Sequence, residues 1–193
     1  MKIILASASP RRKALMQVLG LNFEIIVSEC DETIDNSLPV CEIVKQLSLK
    51  KALAVSEEIK EDALIIGADT VVAYNDCILG KPKDTADAKN MLNMLSGKTH
   101  HVYTGFTIIR TSDKKIVSDF EKTDVTFKTL TDIEIENYIA TKDPMDKAGS
   151  YSIQGITSSF VTKLKGDYNN VVGLPIYNLS RYLYNTFNIA NTI

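Results

Sequence analysis

The chain has 193 residues, 45% of them hydrophobic and 24% charged, a composition typical of a single folded domain with a sizeable core. Its 22 lysines and arginines nearly balance 24 aspartates and glutamates, for a formal charge of −2 at pH 7. This balance argues against a nucleic-acid-binding or membrane-surface protein, because both depend on a broad positive field. A polyanion would have to be held by cations that are gathered locally.

The three cysteines, Cys30, Cys41 and Cys77, are odd in number and form no C-x-x-C pair, which predicts reduced, packed thiols. The apolar run at 63–74 contains Asp69 and is too short for a membrane span. The apolar run near the N-terminus is far shorter than a signal-peptide core. We therefore predict a cytoplasmic protein.

Strands and helices alternate along the chain, which predicts an α/β fold. A buried strand is predicted at 2–6. The first helix follows, with Ser9 as its N-cap, Pro10 in its first turn and Gly20 at its end. The strand at 63–74 is predicted to turn into a hairpin through Asn75-Asp76. Helices are further predicted at 40–60, 85–95, 131–141 and 174–187, and strands at 22–27, 99–110, 115–129, 151–153 and 160–165.

The loop between the first strand and the first helix is a candidate anion site. It reads Ser7-Ala8-Ser9-Pro10-Arg11-Arg12. Unsatisfied N–H groups and the helix dipole favour an anion at a helix N-terminus, and arginine binds phosphate oxygens in a bidentate fashion. The alternative is a capped helix with two solvated arginines. The loop is not a Walker motif, because it lacks the glycines and the Gly-Lys-Ser/Thr ending.

Asp69 stands in an otherwise apolar strand, within Gly67-Ala68-Asp69-Thr70. A carboxylate there costs several kcal/mol unless it is paired, binds a metal or reaches a cleft. It could coordinate a hard cation such as Mg²⁺ together with substrate phosphates, or accept a proton from water. The alternative is a turn residue at the end of the strand.

Other polar residues are weaker candidates, and the lysines among them count only as a set with Arg11 and Arg12. Lys81 lies in the rigid turn Gly80-Lys81-Pro82, Lys51 lies on the predicted second helix, and Gln154 precedes Gly155 in a polar stretch. A glutamine beside a glycine can present its amide edge to a base. Each residue alone is typical of a solvated surface or an ordinary loop, and so is the acidic pair Asp31-Glu32.

Taken in order, these blocks resemble the Maf-type nucleoside triphosphate pyrophosphatases. The resemblance runs nearly from end to end. It is carried by LASASPRR at 5–12, GADTVV at 67–72, GKP at 80–82, SGKTH at 96–100, DKAG at 146–149, IQG at 153–155 and VGLP at 172–175. One position departs from the pattern, because Thr157 follows Gln154-Gly155-Ile156 where family members usually have a second glycine.

The resemblance implies a single domain over residues 1–193, with a mixed central β-sheet flanked by helices and two lobes around a cleft, similar to the inosine triphosphate pyrophosphatases. It implies hydrolysis of a nucleoside triphosphate to the monophosphate and pyrophosphate, with Mg²⁺ or Mn²⁺ as cofactor, and a homodimer. Arg12, Thr70 and Gln154 match the specificity positions of the branch that hydrolyses dTTP and UTP. A sister branch acts on 7-methyl-GTP.

Chemistry and resemblance lead to one hypothesis for the site. The positive groups that would neutralise the triphosphate are those of Arg11, Arg12, Lys51 and Lys81, with Ser7 beside them. Asp69 would activate water, and Glu32 with Asp69 would hold the metal. Two alternatives stay open. The substrates could be modified pyrimidine nucleotides, or the protein could be a non-catalytic nucleotide sensor that regulates cell division and septum formation.

Overall fold

A computed structural model describes residues 1–27, 29–35, 37–75 and 77–189. Its strands are β1 (Lys2–Leu5), β2 (Glu24–Ile25), β3 (Ala63–Tyr74), β4 (Cys77–Leu79), β5 (Thr99–Arg110), β6 (Lys115–Phe127) and β7 (Val161–Lys165). Its helices are α1 (Pro10–Val18), α2 (Val40–Glu58), α3 (Thr85–Leu95), α4 (Asp132–Ala140), α5 (Tyr168–Val172) and α6 (Ile176–Phe187). Short 3-10 turns lie at Asp143–Asp146, Ala148–Ser150 and Gly155–Phe160.

The strands form one mixed sheet in the order β2-β1-β3-β5-β6-β7, with β4 paired to β3. β1 runs parallel to both of its neighbours, and Leu5 lies opposite Ile66 of β3. β4 is antiparallel to β3, and β7 is antiparallel to β6. The predicted mixed sheet flanked by helices is confirmed.

The described residues divide into two compact units, each with its own core. The described residues of the first unit lie within 1–69, 104–121 and 173–189, and those of the second lie within 70–103 and 122–172. In the first unit, buried aliphatic residues of β1, α2, β3 and β5 pack together. In the second unit, a larger cluster is rich in aromatic rings, including Phe127, Tyr138 and Tyr151.

Two glycines let α2 lie directly on the strands of the first unit. A Cβ added at Gly67 of β3 would come 2.4 Å from the Ser48 carbonyl oxygen, and one added at Gly105 of β5 would come 2.2 Å from the Val44 carbonyl oxygen. The obstructing atoms are helix backbone, which cannot rotate away as a side chain can. Small residues on these strands therefore set how closely α2 approaches the sheet.

Some sequence predictions were wrong in detail. Residues 151–153 form no strand, and Tyr151 is instead buried in the aromatic core ahead of a 3-10 turn. The segment at 22–27 contributes only the two residues of β2. Helix α5 was not predicted, and α6 begins two residues later than expected, after Pro175.

The hairpin after β3 is confirmed, since β3 and β4 pair as antiparallel strands with Tyr74 opposite Cys77. Asn75 has a φ of 47°, and Asp76 lies outside the described residues. All three cysteines are unpaired. The prediction that they are packed was wrong for Cys77, whose side chain is exposed.

Over the described ranges, every helix falls short of the length and apolar character that crossing a bilayer requires.

His100 is a fully buried histidine in the second unit. Its Nε2 lies 2.7 Å from the hydroxyl of Tyr151, and its ring meets Phe127 and Tyr151 edge-on. Its Nδ1 is buried with no hydrogen-bond partner among the described residues. Burial, assisted by the nearby charge of His101, lowers the pKa of His100 from 6.5 to about 4.

We expect this histidine to make folding sensitive to acid. Because its pKa is lower in the folded chain than in the unfolded chain, the unfolded chain binds the proton first as the pH falls. The stabilisation is complete above about pH 6.5 and is lost between pH 6.5 and 4, with a total of about 3 kcal/mol. Urea unfolding at several pH values measures this loss.

The matched variants for this experiment are His100→Gln and His101→Gln. His101 lies next in the chain but is part-exposed, with Nδ1 2.7 Å from Asp124. Below pH 6.5, the pH slope of the unfolding free energy should flatten in His100→Gln and persist in His101→Gln. An unchanged slope in His100→Gln would show that another group causes the acid sensitivity.

Candidate active site

The loop after β1 is built as a helix cap with an arginine folded back against it. Ser9 is the N-cap of α1, and its Oγ accepts a hydrogen bond from the Arg12 N–H at 3.4 Å. The Arg12 side chain donates from Nη1 to Ser7 Oγ at 3.2 Å and from Nε to the Gly173 carbonyl at 2.9 Å. The guanidinium is therefore held in place and is not a solvated surface group.

The surroundings of Arg12 combine partial burial with opposing charges. Burial lowers the pKa of its guanidinium, the charges of Asp69 and Glu32 oppose that shift, and the charge of Arg11 adds to it. Arginine remains protonated under such conditions. Arg12 is thus a fixed cation. Its electrostatic neighbours, Arg11, Glu32 and Asp69, are residues that the sequence analysis placed in the site.

Asp69, Lys51 and Glu32 form a second charged group in the first unit. Lys51 Nζ lies 2.5 Å from Asp69 Oδ1 and 3.1 Å from Glu32 Oε2. Lys51 and Asp69 are mostly buried, with 17% and 13% of their side chains exposed, whereas Glu32 is 60% exposed. One ammonium therefore bridges two carboxylates that are far apart in the sequence.

The strand pairing explains why the two charged groups are neighbours. β1 and β3 are parallel, and Leu5 lies opposite Ile66. Ser7, two residues beyond Leu5, and Asp69, three residues beyond Ile66, therefore both lie towards the carboxyl end of β1. The carboxyl ends of parallel strands are a common location for ligand sites in α/β proteins. The structure brings together Ser7, Arg11, Arg12, Glu32, Lys51 and Asp69 within the first unit.

The carboxylates of Glu32 and Asp69 fit a divalent cation. Both already converge on one positive group, the Lys51 ammonium, and carboxylate oxygens are the ligands that Mg²⁺ prefers. Over the described residues, no cluster of three or more His, Cys, Asp or Glu side chains is placed to hold a metal. A metal bound here would therefore need further oxygens from a substrate or from water.

The remaining predicted residues, Thr70, Lys81 and Gln154, lie in the second unit. Lys81 is exposed, and Gln154 is exposed at the start of the 3-10 turn Gly155–Phe160. The Gly149 N–H donates to the Gly80 carbonyl at 3.0 Å, which ties the segment before Lys81 to the segment that leads to Gln154. Within this unit, Lys81 and Gln154 thus belong to two connected loops.

Thr157, the departure from the family pattern, closes the loop that carries Gln154. Its side chain is fully buried, and its hydroxyl donates a hydrogen bond to the Ser152 carbonyl. The Ser152 hydroxyl in turn accepts from the Gln154 N–H at 3.1 Å. Thr157 has no positive φ, so a residue with a side chain is accommodated there without backbone strain.

Gly173, which contributes to the site, and Lys147, a buried residue of the second unit, had no assigned role in the sequence analysis. Gly173 supplies the carbonyl that fixes Arg12, and the only signal for it was the block at 172–175. Lys147 is buried and bonds to the Asp143 carbonyl at 2.6 Å and to the carboxylates of Asp143 and Asp146 at 2.9 and 2.7 Å. The motif at 146–149 pointed to this lysine but not to its three oxygen partners.

The fold and the site together define an α/β protein whose first unit groups Arg11, Arg12 and Lys51 with the carboxylates of Glu32 and Asp69. A family model described as Maf-like protein matches residues 2–186. The chain therefore belongs to the family of Maf-like proteins.

Curated relatives match over nearly their whole length. A protein of Alkaliphilus oremlandii named dTTP/UTP pyrophosphatase is 54% identical over 188 residues, which are 97% of each chain. A protein of Bacillus cereus with the same name is 55% identical over 191 residues, 99% of this chain and 98% of the relative. A solved dITP/XTP pyrophosphatase of Mycobacterium abscessus is 13% identical, with a TM-score of 0.41 over 67% of this chain and 76% of its own.

Proposed function

We propose that this protein is a nucleoside triphosphate pyrophosphatase that hydrolyses dTTP and UTP to the monophosphate and pyrophosphate, as housekeeping removal of nucleotides. The observation that carries the proposal is the identity of 54–55%, over nearly the full chain, with relatives named dTTP/UTP pyrophosphatase. The charged site in the first unit supplies the residue types that this reaction needs.

The cations of the site serve to bind and neutralise the triphosphate. Phosphoryl transfer depends mainly on positioning and on neutralising charge at the phosphate oxygens. Arg12 suits this role because its side chain is already held by Ser7 and Gly173. A preorganised guanidinium loses little conformational freedom when it binds phosphate. In the proposal, Arg11, Lys51 and Lys81 contribute further positive charge.

Asp69 is proposed as the general base that takes a proton from the attacking water. Its ion pair with Lys51 requires the anionic carboxylate, which is the form that accepts a proton. Because β1 and β3 are parallel, Asp69 lies towards the carboxyl end of β1, as Ser7 does. General bases typically contribute about 10²- to 10⁴-fold to the rate.

Glu32 and Asp69 are the residues proposed to hold Mg²⁺ or Mn²⁺. When bound, the metal would neutralise charge on the phosphate oxygens and help to orient the triphosphate. Two carboxylates completed by substrate phosphates are a usual arrangement for Mg²⁺.

Base selection is assigned to Arg12, Thr70 and Gln154, as the resemblance implies. The Gln154 side chain is exposed, and its backbone is fixed through Ser152 and Thr157. We further propose a cytoplasmic homodimer that binds neither nucleic acid nor membranes, consistent with the formal charge of −2.

A substrate panel tests the proposed function. Purified protein is incubated with dTTP, UTP, CTP, 7-methyl-GTP and modified pyrimidine triphosphates, with Mg²⁺ or Mn²⁺, and pyrophosphate is measured. We expect the highest kcat/KM for dTTP and UTP. A preference for 7-methyl-GTP would contradict the assigned branch, and nucleotide binding without pyrophosphate release would favour a nucleotide sensor.

A further inference from the structure

The Lys51 ammonium occupies the position that a metal shared by Glu32 and Asp69 would need. It lies 2.5 Å from one carboxylate and 3.1 Å from the other. These distances are those of direct ion pairs and leave no space for a second cation between the same oxygens. A divalent ion that binds both carboxylates must therefore displace the ammonium or share them with it.

The local charge disfavours a metal ion that arrives alone. Asp69 and Glu32 both act electrostatically on Arg12, and so does Arg11. Together with Lys51, three cations thus face two carboxylates, and the group is already net positive before any metal binds. Lys51 and Asp69 are mostly buried, so water screens these charges less than it would at an open surface.

A triphosphate changes this balance, because it brings several negative charges and many acceptor oxygens. Lysine is well suited to exchange partners, since its ammonium is a compact charge on a flexible four-carbon stem. When phosphate oxygens become available, the ammonium can bind them and release the carboxylates. The metal then gains both the carboxylates and the phosphate oxygens as ligands.

We propose that Lys51 is a built-in competitor of the divalent cation. In the nucleotide-free protein it keeps the metal off Glu32 and Asp69, and it yields these carboxylates when a triphosphate binds, so that metal and nucleotide enter together. The proposal rests on the proposed function, because that function supplies the triphosphate. In this proposal, Lys51 binds the two carboxylates in the nucleotide-free protein and binds phosphate oxygens in the triphosphate-bound protein.

The test is a titration of the full chain with Mn²⁺ alone, with free Mn²⁺ followed by electron paramagnetic resonance. We expect Lys51→Met to bind Mn²⁺ at least about tenfold more tightly than the unmodified chain, because the competing charge is removed. Lys51→Arg keeps the charge and should retain weak binding. A Lys51→Met variant that binds Mn²⁺ no more tightly than the unmodified chain would overturn the proposal.

Lys50→Met is the matched control. Lys50 is the neighbouring residue on α2, but its Nζ bonds to the Thr33 carbonyl at 3.2 Å and lies 3.8 Å from Asp31. The Lys50→Met substitution removes the same charge from the protein as Lys51→Met does, and it should change Mn²⁺ affinity by less than about twofold. Equal tightening in both methionine variants would mean that only net charge matters, which would also overturn the proposal.

Two additional measurements separate the inference from the proposed function. Adding Asp69→Asn to Lys51→Met should abolish the gain in Mn²⁺ affinity, which would locate the metal at this carboxylate. In the unmodified chain, a non-hydrolysable dTTP analogue should tighten Mn²⁺ binding, and no tightening would count against the exchange even if Lys51→Met did not fold. The Mn²⁺-only titrations use no substrate, so pyrophosphate release in the panel and metal binding here can fail independently.

Discussion

Replacing Asp69 with asparagine should lower kcat for dTTP and UTP by about 10²- to 10⁴-fold, because the amide cannot accept the proton from water. The substitution preserves the shape of the side chain but removes the nearer of the two carboxylates paired with Lys51, at 2.5 Å, and leaves Glu32 at 3.1 Å. Steady-state kinetics at saturating nucleotide and metal measure the effect. A kcat within about tenfold of the unmodified enzyme, roughly 1.4 kcal/mol of barrier, would exclude Asp69 as the base.

Asp113→Asn provides the control for loss of a paired carboxylate. Asp113 forms an ion pair with Arg110 at 2.5 Å, in the turn between β5 and β6 and away from the charged site. Its exposed position predicts a change in kcat of less than about twofold. Urea unfolding of both variants would show whether a loss of activity reflects chemistry or folding.

The second large effect is expected from Gly67→Ala, which should destabilise the protein by about 3 kcal/mol. The added methyl would lie 2.4 Å from the Ser48 carbonyl oxygen and 2.9 Å from the Ala52 backbone nitrogen. Since both atoms belong to the backbone of α2, the helix must move away from β3. Lys51 lies on that helix and Asp69 on that strand, so the ion pair should loosen and kcat should fall as well.

Gly80→Ala is the matched comparison for this substitution. A Cβ at Gly80 would meet no heavy atom within 4 Å, and its φ is not positive. We expect a change in unfolding free energy within about 0.5 kcal/mol. If urea unfolding gave the two variants the same midpoint, the close approach of α2 to β3 would not contribute to stability.

Local signals allowed most of the elements to be predicted. Ser9 and Pro10 mark the start of α1, and the structure has the predicted cap hydrogen bond there. The long strand at 63–74 was predicted with its observed bounds. Such features depend on residues a few positions apart, which a sequence shows directly.

Features that depend on distant residues could not be predicted in the same way. Tyr151 stands in an alternating run typical of a strand, but its hydroxyl bonds to His100 and its ring packs in the aromatic core. The hydrogen-bond partner of the Tyr151 hydroxyl, His100, is 51 positions away in the sequence. Tertiary packing here overrides the local pattern.

The composition of the charged site was predictable, but its pairing was not. The sequence analysis placed Lys51 among the phosphate-binding cations and Glu32 with Asp69 among the metal ligands. The structure joins all three, and Gly67 and Gly105 let α2, which carries Lys51, lie directly on the strands. The absence of side chains at two strand positions therefore helps a lysine on the helix to reach a carboxylate on the strand.

The hydrogen bond from Arg12 to the Gly173 carbonyl also bears on biosynthesis. The two residues are 161 positions apart, so the guanidinium gains this support only after nearly all of the described chain has been made. A chain whose synthesis stops before residue 173 keeps both arginines but lacks the carbonyl that holds Arg12. Such a fragment would present the loop at 7–12 without the carbonyl that holds the Arg12 side chain, so under the proposed function it should bind a triphosphate more weakly than the full chain.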